Sequence, residues 1–182
     1  MPLRRHPRIE LVSSAVVHAG RVFEVLRDRF RLPSRLEVEI EVVVHSGAVA
    51  IAALDAQGRL ALVRQYRHPA GDWLVEIPAG RIEEGEERLA AAKRELEEET
   101  GLRARRWSLL REFYAAPGFC SERLSIYLAE ELENVREDRL AHDADEELET
   151  LFAPLPDVLR DAQDAKTLIA AALLSARARS GS

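Results

Sequence analysis

Apolar and polar residues alternate along the first forty-five residues in the way a β-sheet requires. The clearest run is Leu36-Glu37-Val38-Glu39-Ile40-Glu41-Val42, where apolar and acidic side chains take turns. Successive side chains of a strand point to opposite faces, so this run predicts a strand with one covered face and one in water. Segments 9–17, 22–32 and 36–45 share the Val, Ile and Leu enrichment of three strands, separated by the turn formers His18-Ala19-Gly20 and Pro33-Ser34. Residues 48–54 and 60–64 predict two more strands around Asp55-Ala56-Gln57-Gly58, and a short strand over 73–77 runs into Pro78. Trp73 and Trp107 fall in strand patterns and read as core or interface.

The period changes at Glu86. From there to Thr100 the chain is free of Pro and Gly and built of good helix formers, with Gly101 standing where a left-handed cap belongs. Leu89, Ala92 and Leu96 form the expected apolar stripe. Segments 107–114, 124–129 and 148–152 then predict strands. Pro154 and Pro156 introduce a final helical stretch, with Asp164 as N-cap for residues 165–178. Strand and helix patterns that do not alternate regularly predict an α+β fold or an α/β sandwich rather than a doubly wound sheet. The expected division is a β element over 1–45 and a larger domain over 46–182.

Composition adds limits. A chain of 182 residues, 47% hydrophobic and 32% charged, suffices for one compact domain with a small appended element. The single cysteine, Cys120, excludes an intramolecular disulfide and any multi-cysteine metal site, and it fits a reducing cytoplasm. No apolar run approaches the ~18 residues of a membrane span. The arginines at 4, 5 and 8 are followed by Glu10, Ser13, Ser14 and His18 rather than by a secretion signal's apolar core. A net charge of −6 argues against nucleic acid and membrane surfaces as partners. Eight acidic residues lie between Glu83 and Glu99 and ten between Glu130 and Glu149. An acidic domain that handles a polyanion needs a divalent cation to bridge the two.

At 100° per residue, Glu95, Glu98 and Glu99 project within an arc of about 100°. Three carboxylates so close raise at least one pKa unless a cation neutralises them, and hard oxygen at this density suits Mg2+ or Mn2+. The same run also fits a solvated face with Arg94 reaching Glu98 at i, i+4. Spacing bears on the choice. Read from Gly80, the chain gives five residues, Glu86, seven residues, Arg94-Glu95-Leu96, one residue, Glu98-Glu99, one residue, and Gly101-Leu102. A Glu-rich composition does not by itself supply Gly80, Arg94 and Gly101 at those offsets.

This is the complete signature of the Nudix box, and the chain resembles the Nudix hydrolases. The resemblance extends from about Arg21 to Ala172. Val63-Arg64-Gln65-Tyr66-Arg67, Glu76-Ile77-Pro78-Ala79-Gly80, Tyr114-Ala115-Ala116-Pro117-Gly118-Phe119 and Asp164-Ala165-Lys166-Thr167 are similar to the ADP-ribose pyrophosphatase subgroup. It implies an α/β/α sandwich of the Nudix type, with a mixed sheet and an N-terminal antiparallel β element that forms a homodimer. It implies Mg2+-dependent cleavage of ADP-ribose to AMP and ribose 5-phosphate, with Mn2+ as a possible substitute. GDP-mannose or another nucleoside diphosphate sugar is the alternative substrate, and an ADP-ribose-sensing, non-catalytic module the alternative class. The intact glutamates and the end of the sequence at Ser182 favour the enzyme.

By the same resemblance, Glu95, Glu98, Glu99 and the Ala79 carbonyl hold metal, with Glu86 and Arg94 behind them. Arg67 meets a phosphate, Glu76, Pro117 and Gly118 line the substrate pocket, Glu122 faces the terminal ribose, and Phe23 contacts adenine. The candidate general bases are Glu146 and Glu147 in Asp143-Ala144-Asp145-Glu146-Glu147, with metal-activated hydroxide as the alternative. Ala144 departs from the expected acidic pattern and leaves the base open. His6, His18, His45, His68 and His142 lack ligand spacing, and Cys120 lacks the sequence context of a nucleophile.

Overall fold

A computed structural model describes residues 6–20, 22–135 and 148–180. The elements run β1 (Glu10–Ala19), β2 (Glu24–Arg31), β3 (Glu37–Val44), β4 (Ala48–Ala53), β5 (Arg59–Arg67), β6 (Asp72–Glu76) and β7 (Ala79–Arg81). Then follow α1 (Arg88–Thr100), β8 (Leu102–Tyr114), β9 (Arg123–Asn134), β10 (Glu149–Pro154), α2 (Leu155–Asp161) and α3 (Ala165–Ser180). The chain divides into two compact units, Met1–Gly47 with Phe113–Leu124, and Ala48–Glu112 with Ser125–Ser182.

In the first unit β1, β2 and β3 form an antiparallel sheet in that order. Alternation sorts its faces. Arg27 pairs with Glu41 at 2.7 Å, Arg29 with Glu39 at 3.0 Å, and Arg31 with both Glu10 and Glu37 at 2.7 and 2.6 Å. Exposed pairs of this kind stabilise little individually, but like charges in their place would oppose the register. The other face carries Leu26, Phe30, Val38, Ile40 and Val42, all half-buried, around the buried Asp28.

The second unit holds two further sheets, β10-β5-β6 and β7-β4-β9-β8, the latter two strands continuing past the unit's boundary. All six residues of β4 are buried, which explains its unbroken apolar run. Val49, Ile51 and Ala53 of β4 join Ala61, Ala91, Ala92, Leu96, Leu102 and Ala129 in one core. The first helix begins at Arg88 rather than Glu86. Leu89, expected in its apolar stripe, is 38% exposed in the first turn, and the small side chains of Ala91 and Ala92 carry that burial with Leu96. Trp73 is also exposed rather than core, with Arg64 stacked 5.3 Å from its ring centre, whereas Trp107 packs against the core and donates to the Ala104 carbonyl.

Two elements depart from the sequence reading. Strand β7 has only three residues, too few for a period, and contains a glycine; it is defined by antiparallel pairing of Ala79, Gly80 and Arg81 with Ala50, Val49 and Ala48. Pro154 caps a separate short helix, α2, instead of leading directly into the last one. Asp164 caps α3 as expected, its Oδ1 accepting the Thr167 N–H at 3.0 Å.

Gly101 closes α1 at φ 67° and ψ 28°, its N–H donating to the Glu97 carbonyl at 2.8 Å. An alanine there would carry a Cβ into the left-handed region, at a cost of about 1–2 kcal/mol. Gly101→Ala is therefore expected to lower the unfolding free energy by that amount, read as a lower urea midpoint with the slope of the transition unchanged.

Candidate active site

The site grows from a strand, a loop and a helix within the second unit. Strand β7 lies against β4, and α1 packs on both, so the start of β7 meets one side of the helix. Gly80 makes that approach possible. A Cβ built on Gly80 would lie 2.0 Å from the Glu95 carboxyl carbon and from its Oε1. The carboxylate of Glu95 thus occupies the space that any other residue at position 80 would fill. One step earlier, the Ala79 N–H donates to Glu99 Oε2 at 3.0 Å, and Glu99 is 5% exposed.

Arg94 gathers the remaining acids. Its Nε and Nη2 reach the two oxygens of Glu86 at 2.9 and 3.0 Å, and Nη2 also donates to the Arg81 carbonyl at 3.0 Å. Its Nη1 donates to Glu95 Oε1 and to Glu98 Oε2, each at 2.8 Å. One planar cation therefore orients three carboxylates. The hydrogen bonds from Arg94 hold the Glu86 carboxyl below its ordinary range, against an opposing effect of burial, with the Glu83 N–H adding to the lowering. The same contacts, Glu86 first, make the guanidinium still harder to deprotonate.

These residues fit a divalent cation by the chemistry of their donors. Glu95, Glu98, Glu99 and the Ala79 carbonyl offer hard oxygen alone, and a cationic group already stands on two of the carboxylates. Among the described residues, no three His, Cys, Asp or Glu side chains close on a single point. Arg94 draws on Glu95 and Glu98, while Glu99 is turned to the Ala79 N–H. Neither the solvated face nor the metal cradle of the sequence reading describes this arrangement alone. The i, i+4 contact of Arg94 with Glu98 is present, yet its members are largely buried.

Glu76 forms a second cluster in the same unit. It is 3% exposed, and its Oε2 accepts from Arg67 Nε at 2.8 Å and Nη2 at 2.7 Å. Its Oε1 is held by Lys166 Nζ at 2.9 Å. Arg67 therefore commits one edge of its guanidinium to Glu76. Lys166 was absent from the sequence-read site; its signal lay in Asp164-Ala165-Lys166-Thr167, where helix capping had accounted only for Asp164.

The other described candidates lie in the first unit. Phe23 is 42% exposed, its ring 6.0 Å from that of His18. The segment holding Pro117 and Gly118 is pinned to β3 through Val43 N–H to the Phe119 carbonyl at 2.8 Å and Ser121 N–H to the Val43 carbonyl at 3.0 Å. A Cβ on Gly118 would meet nothing within 4 Å. Glu122 Oε1 stands 3.9 Å from His45 Nδ1. Glu146 and Glu147 lie outside the described residues.

The geometry gives two expected outcomes. Because Gly80→Ala would meet only the end of a flexible side chain, the variant should melt close to the unsubstituted protein. Its displaced Glu95 should nevertheless cost about ten- to a hundredfold in metal-dependent turnover; equal losses in stability and turnover would point to misfolding. The depressed Glu86 carboxyl contributes stability that is present above its unfolded pKa, near 4.5, and is lost as pH falls through the lower folded value. The stability gap between the protein and Glu86→Gln should therefore be level above about pH 5.5 and close on further acidification, as read by urea unfolding across pH.

The sequence matches the NUDIX domain over residues 44–172. It is 38% identical to the ADP-ribose pyrophosphatase of Bacillus subtilis (strain 168) over 164 residues, covering 87% of this chain and 88% of that protein. It is 43% identical to the ADP-ribose pyrophosphatase of Mycobacterium tuberculosis (strain ATCC 25618 / H37Rv) over 135 residues, 74% of this chain and 65% of that one. The methanol dehydrogenase activator of Bacillus methanolicus is 35% identical, with 87% of this chain and 88% of its own covered. A crystal structure of an ADP compounds hydrolase superposes with a TM-score of 0.82 at 22% identity, covering 98% of each chain, and shows the fold. The chain belongs to the NUDIX domain family.

Proposed function

We propose that this protein hydrolyses the pyrophosphate bond of ADP-ribose, giving AMP and ribose 5-phosphate, with Mg2+ as its preferred divalent cation. The observation that carries the reading is the set of box carboxylates drawn together by Arg94 beside the glycine loop. Two relatives named as ADP-ribose pyrophosphatases support the choice of substrate. A divalent cation, when bound, supplies positive charge to the pyrophosphate oxygens and makes water a stronger nucleophile.

Each residue has a task in this reading. Glu95, Glu98, Glu99 and the Ala79 carbonyl hold the cation, Arg94 fixes their orientation, and Glu86 anchors Arg94. Arg67, braced by Glu76, turns its remaining edge to a phosphate. Pro117, Gly118 and Glu122 meet the terminal ribose side, and Phe23 stacks on adenine. Glu146 or Glu147 takes the proton from the attacking water. The apolar face of the β1–β2–β3 sheet is covered by a second copy, so the working form is a homodimer, with residues 1–45 serving assembly and, through Phe23, the adenine pocket, and 46–182 the hydrolytic chemistry. Among the described residues no helix is long and apolar enough to cross a membrane. With one cysteine, the chain suits the cytoplasm.

A panel of ADP-ribose, GDP-mannose, NADH, diadenosine polyphosphates and nucleoside triphosphates at equal Mg2+ tests the substrate. Buried hydrogen bonds discriminate by up to ~10⁴-fold, so ADP-ribose should stand out by kcat/KM and yield AMP and ribose 5-phosphate. A preference for GDP-mannose would overturn the substrate but keep the metal chemistry. Best activity on a triphosphate would overturn the reading of every residue outside the box.

A further inference from the structure

Glu76 is a buried carboxylate with a cation on each oxygen, and only one of those cations, Arg67, belongs to the proposed pocket. The other, Lys166, comes from the first turn of α3. Its side chain is 16% exposed and spans Glu76 Oε1 at 2.9 Å and Asp164 Oδ1 at 3.1 Å. Asp164 Oδ1 also accepts the Thr167 N–H, while its Oδ2 is buried without a hydrogen-bond partner among the described residues. A second tie joins the same places: the Ile77 N–H donates to Thr167 Oγ1 at 2.9 Å, and Thr167 is fully buried. The start of α3 is thereby fastened to the end of β6, immediately before Pro78 and the box loop.

We infer that Lys166 is a positioning residue for phosphate recognition, acting through Glu76 on Arg67. This rests on the proposal that Arg67 meets a phosphate of the substrate. A carboxylate held at one oxygen can swing about its last torsion, and Arg67, whose Nε and Nη2 both sit on Oε2, would swing with it. Lys166 on Oε1 removes that freedom. The guanidinium then keeps a fixed plane, and its Nη1 edge is presented to an anion without an ordering cost at binding. A purely structural role is met separately by Thr167, whose bond to Ile77 docks the helix without any charge.

The test is the binding of ADP-ribose to metal-free protein in chelator, measured by calorimetry for the unsubstituted protein, Lys166→Met, Arg67→Met and the double variant, with melting temperatures alongside. Lys166→Met and Arg67→Met should each weaken binding by about tenfold or more, and the double variant should be no weaker than Arg67→Met alone, as expected of two residues acting as one unit. Lys166→Arg, which keeps a cation on Glu76, should restore affinity. Unchanged binding in Lys166→Met beside weakened binding in Arg67→Met overturns the role of Lys166, whatever the melting temperatures do. Unchanged binding in Arg67→Met overturns the phosphate reading itself. If Lys166→Met does not fold, the same cycle is run with Lys166→Gln, and additive losses in that cycle overturn the coupling.

Discussion

The acidic face of α1 can exist because a single guanidinium stands inside it. Glu86, Glu95 and Glu98 all point at Arg94, at separations of 2.8 to 3.0 Å. Without a cation they would repel, protonate or turn out to water. One positive charge against three negative charges leaves a net deficit, and Glu99 adds to it from the loop side. Arg94 therefore orders the carboxylates without saturating them. In the proposed function this suits residues that would stay assembled while a divalent cation and a pyrophosphate come and go.

The rest of the second unit serves that arrangement. Strand β4 is buried throughout and offers β7 an edge, β7 carries Gly80 past Glu95, and Ala91, Ala92 and Leu96 hold the helix on the core beneath. Gly101 ends the helix one residue after Thr100, whose hydroxyl turns back to the Leu96 carbonyl. Two glycines bracket the chemistry for different reasons. Gly80 is needed for space at an ordinary backbone conformation, and Gly101 for its positive φ. In the Glu76 cluster the charges are matched, Arg67 and Lys166 against Glu76 and Asp164, so the buried acid has a cation on each oxygen.

Much of this was legible in the sequence. Val, Ile and Leu enrichment, with alternation in β3, places the three N-terminal strands to within one or two residues, although β1 is exposed along nearly its whole length, and the helix with its glycine stop is equally plain. The box spacing named Glu95, Glu98, Glu99, Glu86 and Arg94 together. Strand β7 was not legible, since three residues around a glycine have no period, and Leu89 was misjudged because periodicity gives a direction around the helix but not what covers its first turn. Lys166 was missed because its partner Glu76 is ninety residues earlier in the chain, a pairing that only the docking of α3 on the end of β6 creates. The joint contact of Arg94 with Glu95 and Glu98 was likewise invisible, since spacing allows either an ion pair on the surface or a shared cation.

The proposed function depends most on whether the carboxylates of α1 take up a divalent cation. Turnover of ADP-ribose at saturating Mg2+ by Glu98→Gln and Glu99→Gln tests it most directly, because each substitution keeps the size of the side chain and its helix propensity. The account predicts folded proteins whose rates fall by at least about a hundredfold. Near-normal rates in both variants would contradict it.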